Sequence, residues 1–556
     1  MIKHTYIYVA HFVYNILRGK VLRYTVKEKK MAKKLLCFFA IVCLMFSFAS
    51  CAGGSVKVKD DTLKDSAVGG FLVASDDYVY FINGVESYST EYKAGKVTKG
   101  ALMRAKKSVL ADPDAEGVVY ETIVSRLMVA GDKTAGVYLY DGYFYYAVPS
   151  LAKDKKGNVK NDKLEFYRTS ADGSQTSGNI VNTDIAQDAK YRFIKKGDKV
   201  YLVVYSTNLY VYDAITRKEV FKYDDKTSTI QELLFDEQNG GDVFFSIKPV
   251  NAALNPKDSE KKTTSDYHEV YKIDYEKGDK VKVLDGIGYK THGNLDGTGV
   301  YASGATIDLI RVTNGKLYFS YTSLDDKTVW YMSTPVSQLT EENARKFNVE
   351  ANRFAINDSN ASTVFADTSF ILSDGTIIFV ADDGLKMYDQ AKIADEDTEF
   401  GKTTIYEADT LKGSTLDYIN TENGVQYLYY HKDKLYYKVN FTDILAGKET
   451  KSYRINKVEI NDSWYKPAVV EFKVGTETHY AFVAAYNDSD YLSYLNVIDM
   501  TADKAAYDAL KTDTEKEEFY KTLTKTEKKY ADLKAHILGK LSKDDEKTVK
   551  GDKTTK

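Results

Sequence analysis

Chemistry in a folded chain usually starts from histidine, cysteine or paired carboxylates, and here those residues are scattered. Cysteine stands at positions 37, 43 and 51 and nowhere later. Five of the seven histidines follow position 51: His268, His292, His431, His479 and His536. No two lie at metal-ligand spacing, and the zinc-protease pattern H-E-x-x-H is absent. The G-x-S-x-G turn that exposes a serine nucleophile is missing too, as is the G-x-x-x-x-G-K-[ST] loop that cradles phosphate. GTGVYASG (297–304) has glycines without dinucleotide spacing, and no helical pattern follows it. Two acidic clusters, DEDTEFG (395–401) and NDSD (487–490), offer the oxygen ligands that calcium takes, but neither fits the twelve-residue calcium loop. Glycoside cleavage needs two carboxylates roughly 5 to 10 Å apart. With 80 acidic residues in the chain no pair can be singled out. The expectation is no catalytic residue, no metal ligand and no cofactor.

One residue does carry chemistry by its position. Met31-Ala32-Lys33-Lys34 is a short positive segment, Leu35 to Phe48 follows without a charge, and Phe48-Ala49-Ser50-Cys51 closes with small residues. Positive start, apolar middle and small-residue end make a secretory signal. The apolar part is shorter than the roughly 18 to 20 residues of a bilayer-spanning helix. The segment closely resembles a bacterial lipoprotein signal, whose lipobox ends in an obligatory cysteine; Phe48 stands where that family usually has leucine. The resemblance implies that Cys51 receives a diacylglyceryl group on sulfur, becomes the first residue after cleavage, and anchors the protein to a membrane of the bacterial cell envelope, outside the cytoplasm. Two acyl chains hold where one binds marginally. Residues 1–30 then read as an upstream extension before the better start at Met31, 31–50 as the signal, and 51–68 as a lipidated tether.

The same reading removes thiol chemistry. Cys37 and Cys43 leave with the signal and Cys51 holds lipid, so neither a disulfide nor a cysteine nucleophile remains. Nine of the 77 basic residues and one of the 80 acidic residues lie in positions 1–50, leaving 68 against 79 and a net charge of −11. An acidic chain repels phosphate backbones, which disfavours a nucleic-acid partner.

The elements that must position any site come from repetition. A turn pair followed by β-branched and aromatic residues appears as DDYVYFI (76–82), DGYFYYA (141–147), GDKVYLV (197–203), GGDVFFSI (240–247), NGKLYFS (314–320), DGTIIFV (374–380) and KDKLYYK (432–438), with a looser THYAFVA (478–484). These are strand signals. Second and third strands follow, as in LYVYDAITRKEV (209–220) and VYKIDYEKGDKV (270–281). Three or four short antiparallel strands per unit, repeated along the chain, predict an all-β fold: a β-propeller over 69–500, of eight blades with seven as the alternative. The phrases resemble bacterial propeller lipoproteins and, distantly, the low-density-lipoprotein-receptor type of propeller. SADGSQT (170–176) faintly resembles the Asp-box of sialidase-type propellers but lacks its spacing and closing tryptophan. Trp330 and Trp464 are the only tryptophans, so tryptophan-bearing propeller repeats are not the type here.

Three long insertions interrupt the pattern. Leu151–Asp162 and Asn251–Asp266 are Lys- and Asp-rich and read as solvated spacers; Thr334–Asn352 is the third. After Met500 the pattern turns helical: 501–543 reads as an amphipathic segment starting near Thr514, and 544–556 as a disordered tail. The 46 tyrosines fit strand faces packed between blades, with some free to line a pocket for sugars or peptides. The functional expectation is a lipid-anchored extracytoplasmic module that binds or scaffolds a protein or glycan. The alternative is a propeller hydrolase or lyase acting on polysaccharide.

Overall fold

The computed structural model describes residues 66–499 apart from a set of connections, the longest being 84–92, 113–119, 127–136, 250–266, 287–304, 345–352, 389–401, 455–468 and 486–492, and also 509–512 and 514–515. Cys51, His292, His536, both acidic clusters, the second insertion, residues 1–65 and the tail lie outside the described residues.

The recurring phrase is the first hairpin of a blade. Asp141 and Gly142 have φ of 50° and 73°, and Asn314 and Gly315 have 50° and 69°. Two consecutive positive φ values make the turn whose twist matches a β-hairpin. The strand that follows in blade 2, Tyr143–Pro149, is buried at every position. An apolar run without alternation is what a strand covered on both faces requires. The aspartate that closes the third strand of several units caps the next turn. Asp213 accepts the Ile215 and Thr216 amides at 2.9 and 2.8 Å, and Asp274 accepts those of Glu276 and Lys277 at 3.1 and 3.0 Å. Such side-chain turns replace a backbone turn. The two recurring phrases are therefore halves of one four-stranded unit.

The chain is a β-propeller. Seven sheets carry four or five strands paired with their neighbours in order: blade 1 (72–124), blade 2 (137–186), blade 3 (190–223), blade 4 (230–285), blade 5 (305–354), blade 6 (370–406) and blade 7 (415–454). Seven full blades match the lower of the two counts expected from the repeats. The last phrase builds a three-stranded sheet, Val469–Val474, Glu477–Ala485 and Ser493–Asp499, which packs against the first two strands of blade 1. A small hairpin, Lys93–Ala94 with Val97–Thr98, stands apart.

Call the strands of each blade a to d. Neighbouring sheets approach one another closely through their first strands, as Ile230–Phe235 does with Ala305–Thr313 and Leu72–Ala74 with Val469–Val474. The a strands therefore surround the axis. Because the strands alternate in direction, a–b and c–d turns emerge on one face of the ring, b–c and d–a connections on the other. Blade 2 has an additional strand: Ser66–Gly70 pairs antiparallel with its a strand, Val137–Tyr140, on the axial side. The chain then leaves to build blade 1 before returning.

Aromatic rings fill the seams. Tyr80 of blade 1 meets Phe144 of blade 2 at 4.7 Å; Tyr138 and Tyr145 meet Phe193 of blade 3 at 5.6 and 5.4 Å; Tyr223 meets Phe245 of blade 4 at 5.5 Å. Arginines stitch the same seams through backbone carbonyls. Arg104 donates to Ala171 of blade 2 at 3.2 Å, Arg192 to Asp236 beside blade 4, and Arg311 to Ser369 and Ala366 beside blade 6 at 3.0 and 2.9 Å. A guanidinium can satisfy several carbonyls of a neighbouring loop at once, which an apolar side chain cannot.

Beyond the sheets, the described helical backbone begins at Thr514, where the start is expected, and its cap lies two residues earlier. Thr512 Oγ1 accepts the Glu515 amide at 3.2 Å, and the Glu515 carboxylate accepts the Thr512 amide at 2.9 Å. This reciprocal pair is a capping box. The residue three before the glutamate, Thr512, supplies the cap for the helix that begins at Thr514.

Candidate groove on the a–b turn face

A groove of about 810 Å³ opens where three turns of the same face meet. The a–b turn of blade 3 brings Lys196, Asp198 and Lys199; the c–d turn of blade 4 brings Lys272, Asp274 and Glu276; the c–d connection of blade 5 brings Leu339, Thr340 and Glu341. That last connection is the third insertion. Its first part is ordered by a short 3-10 turn, Val336–Gln338, after which Leu339 buries itself at the groove.

The floor is apolar and closed. Tyr201 and Tyr275 lie 4.8 Å apart at 36°, with 3% and 8% of their surface exposed. The Tyr275 hydroxyl donates to the Gly241 carbonyl at 3.0 Å, and burial pushes its pKa well above the usual value. Ring faces so covered cannot stack on a sugar. The tyrosines expected to line a pocket are its foundation instead.

The walls are charged, with carboxylates in excess. Three lysines line the groove against four carboxylates, and a fifth, Asp242, holds two of the lysines: Lys196 at 3.2 Å and Lys272 at 3.7 Å. Asp274 is occupied as a turn cap, and the Lys277 and Glu276 amides it accepts hold its carboxyl below the ordinary range. Asp198, Glu276 and Glu341 are exposed and make no ion pair among the described residues. Lys199 is likewise exposed and unpaired among the described residues, so three unspent carboxylates face one unspent lysine. A cleft with an apolar floor and that net negative charge attracts the opposite charge.

The axial strands carry a second group. The Glu232 carboxylate, on the a strand of blade 4, accepts the Leu309 amide of blade 5. Burial raises its pKa to about 7, helped by the Asp308 charge and opposed by that amide and Lys190. A raised carboxyl binds its proton more tightly in the folded chain, so this group's stabilisation is present below pH 4.5 and is lost as pH rises toward 7. Glu232→Gln keeps an acceptor for Leu309 without the charge. It is expected to be more stable than the parent by about 1–2 kcal/mol at pH 8, discounted for partial solvent screening, and equal to it at pH 4.5. Urea midpoints at the two pH values test this; a difference that does not change with pH would remove the assignment.

The three described histidines stand apart, each with its own partners. His268 Nδ1 lies 2.9 Å from the Ile307 carbonyl and 3.1 Å from its amide, across the seam of blades 4 and 5. His479 is buried with its ring 5.4 Å from Phe472. His431 Nδ1 lies 2.8 Å from the buried Asp417 carboxylate, and its ring stacks on Tyr436 at 5.6 Å. Asp417 reaches it because it is the bulged residue of Thr415–Glu422, between the paired Leu416 and Tyr418. A histidine oriented by a carboxylate is half of a nucleophilic triad; no hydroxyl bonds to His431 among the described residues. Nor does any group of three His, Cys, Asp or Glu among the described residues gather as for a metal. SADGSQT is a closed turn in which Asp172 accepts the Ser170 hydroxyl at 2.6 Å and the Ser174 amide at 2.9 Å. Its carboxylate is spent on the turn.

The groove residues were not foreseen from the sequence. The one available signal was the third insertion, the least Lys-rich of the three. Sequence alone could not tell that its turn meets those of blades 3 and 4.

No protein-family model matches the chain, and no curated protein matches it. Solved structures similar to it include a prolyl endopeptidase at 11% identity and a TM-score of 0.30, covering 66% of this chain. The chain spans half the length of that endopeptidase. BamB from Moraxella catarrhalis is similar at 10% identity and a TM-score of 0.28, over 80% of this chain and 98% of that one. The β-propeller domain of Cps50 (Swd1) from Myceliophteria thermophila is similar at 8% identity and a TM-score of 0.30, over 66% of this chain and 98% of that one. Likeness at this level says nothing of activity or partner.

Proposed function

We propose that this protein is a lipid-anchored, extracytoplasmic binding module, and that its groove takes an extended basic segment of a partner protein. The observation that carries the reading is the groove itself: a closed apolar floor beneath Asp198, Glu276 and Glu341, whose charges no lysine answers among the described residues. Opposite charges across an interface supply specificity and a faster encounter. A volume of this size suits a short peptide stretch. Of the two partner classes, protein and glycan, the buried ring faces of Tyr201 and Tyr275 favour protein. Membrane attachment rests on Cys51 and its signal.

The test uses the full mature chain and two probes, an alternating Lys-Ala decapeptide and a panel of neutral oligosaccharides. The peptide is expected to bind, with affinity falling as salt rises. A triple Asp198→Asn, Glu276→Gln, Glu341→Gln variant should weaken it at least tenfold while melting like the parent. Oligosaccharide binding that survives the triple substitution, with no peptide binding, would overturn the reading. Cleavage of a polysaccharide by the same preparation would return the hydrolase or lyase alternative.

A further inference from the structure

The strand Ser66–Gly70 tells which face of the ring the tether leaves from. It runs antiparallel to Val137–Tyr140, with Ser66 opposite Leu139 and Gly70 opposite Val137. Val137–Tyr140 runs toward the a–b turn at Asp141-Gly142. Ser66 therefore begins at the a–b turn face, on the axial side of blade 2 and beside Lys190–Lys196, the a strand of blade 3. The groove opens on that same face, at the turn that follows Lys196.

We infer that the a–b turn face, with its groove, is the face apposed to the membrane, and that the b–c face points away from it. This rests on the lipid-anchor reading of Cys51 given above. Fourteen residues, 52–65, join Cys51 to Ser66. A chain of that length reaches at most about 50 Å when fully extended. Turning the ring over would send this segment from the axis across a four-stranded sheet, about 15 Å, and then along the strand length, about 20 Å, before it met lipid. Such a path uses most of that maximum reach, which leaves the connection few arrangements. The upright orientation needs none of it.

The consequence concerns the partner. A segment entering the groove comes from a protein held at the same membrane. The b–c turns, among them the start of the first insertion after Pro149, face away from the bilayer.

The orientation is testable because the mature chain has no thiol other than the lipidated Cys51. Ser373→Cys places a label on the exposed a–b turn of blade 6, and Thr207→Cys places one on the exposed b–c turn of blade 3. Each full-length lipidated variant is labelled with a donor dye and reconstituted into phosphatidylethanolamine–phosphatidylglycerol vesicles containing a headgroup acceptor. Energy transfer from position 373 is expected to be at least twice that from position 207. Equal transfer, or the reverse order, overturns the orientation while leaving the anchor intact. Failure of both variants to float with vesicles, matching a Cys51→Ser control, overturns the anchor, and the orientation falls with it for that separate reason.

Discussion

Replacing Tyr275 by alanine is expected to destabilise the propeller by about 3–5 kcal/mol, the loss typical of a buried aromatic side chain. Its ring is packed at 4.8 Å on Tyr201 of blade 3, its hydroxyl is spent on the Gly241 carbonyl, and the Lys196 ammonium lies 5.8 Å from its centroid. Truncation opens a void in the seam and leaves that carbonyl without its donor. Tyr275→Phe separates the two contributions: it keeps the ring and loses one hydrogen bond, about 1 kcal/mol. Urea denaturation read by tyrosine fluorescence gives both numbers. If alanine is tolerated as well as phenylalanine, the ring does not hold blades 3 and 4 together. The groove floor would then have to be sought elsewhere. The same variant should weaken peptide binding through collapse of that floor, with no change in the salt dependence that the wall carboxylates set.

The second large effect is expected at Gly278, in the c–d turn beside the groove. Its φ is +65°, and a Cβ there would sit 2.5 Å from the Val220 carbonyl oxygen, on the d strand of blade 3. Gly278→Ala thus meets two penalties: about 1–2 kcal/mol for a left-handed residue with a side chain, and a clash with backbone that cannot rotate away. A loss of about 2–4 kcal/mol is expected. Gly315→Ala is the control. Its φ is +69°, but nothing lies within 4 Å of the added carbon, so only the conformational part remains. Equal losses at the two sites would mean that the turn of blade 4 does not bear on blade 3. Because Asp274, Glu276 and Lys277 form this turn, a shift there should also move the groove wall and lower peptide affinity.

These two positions show where local pattern stops being informative. DYEKGDK reads as a turn after a strand, and the aspartate and glycine are the residues a turn asks for. Nothing in it says that the preceding tyrosine is buried against Tyr201, or that the glycine abuts Val220. Both contacts cross from one blade to the next.

What the chain settled by itself is everything that depends on near neighbours. The D-G and N-G pairs dictate hairpins because consecutive positive φ values admit few other residues, and the β-branched and aromatic runs behind them dictate strands. Together they predicted the β-propeller, with the count resolving to seven full blades and a three-stranded sheet. The helix start at Thr514 follows from the acidic run behind it, while the cap, Thr512, is chosen by its partner three positions on, Glu515. Tertiary structure alone decided the groove, the raised carboxyl at Glu232, the His431–Asp417 pair and the face from which Ser66 departs. Each depends on residues far apart in sequence being brought to one seam or one end of the ring. Their spacing along the chain carries no record of that, because closing the ring sets those distances through the burial of whole sheets rather than through any local preference.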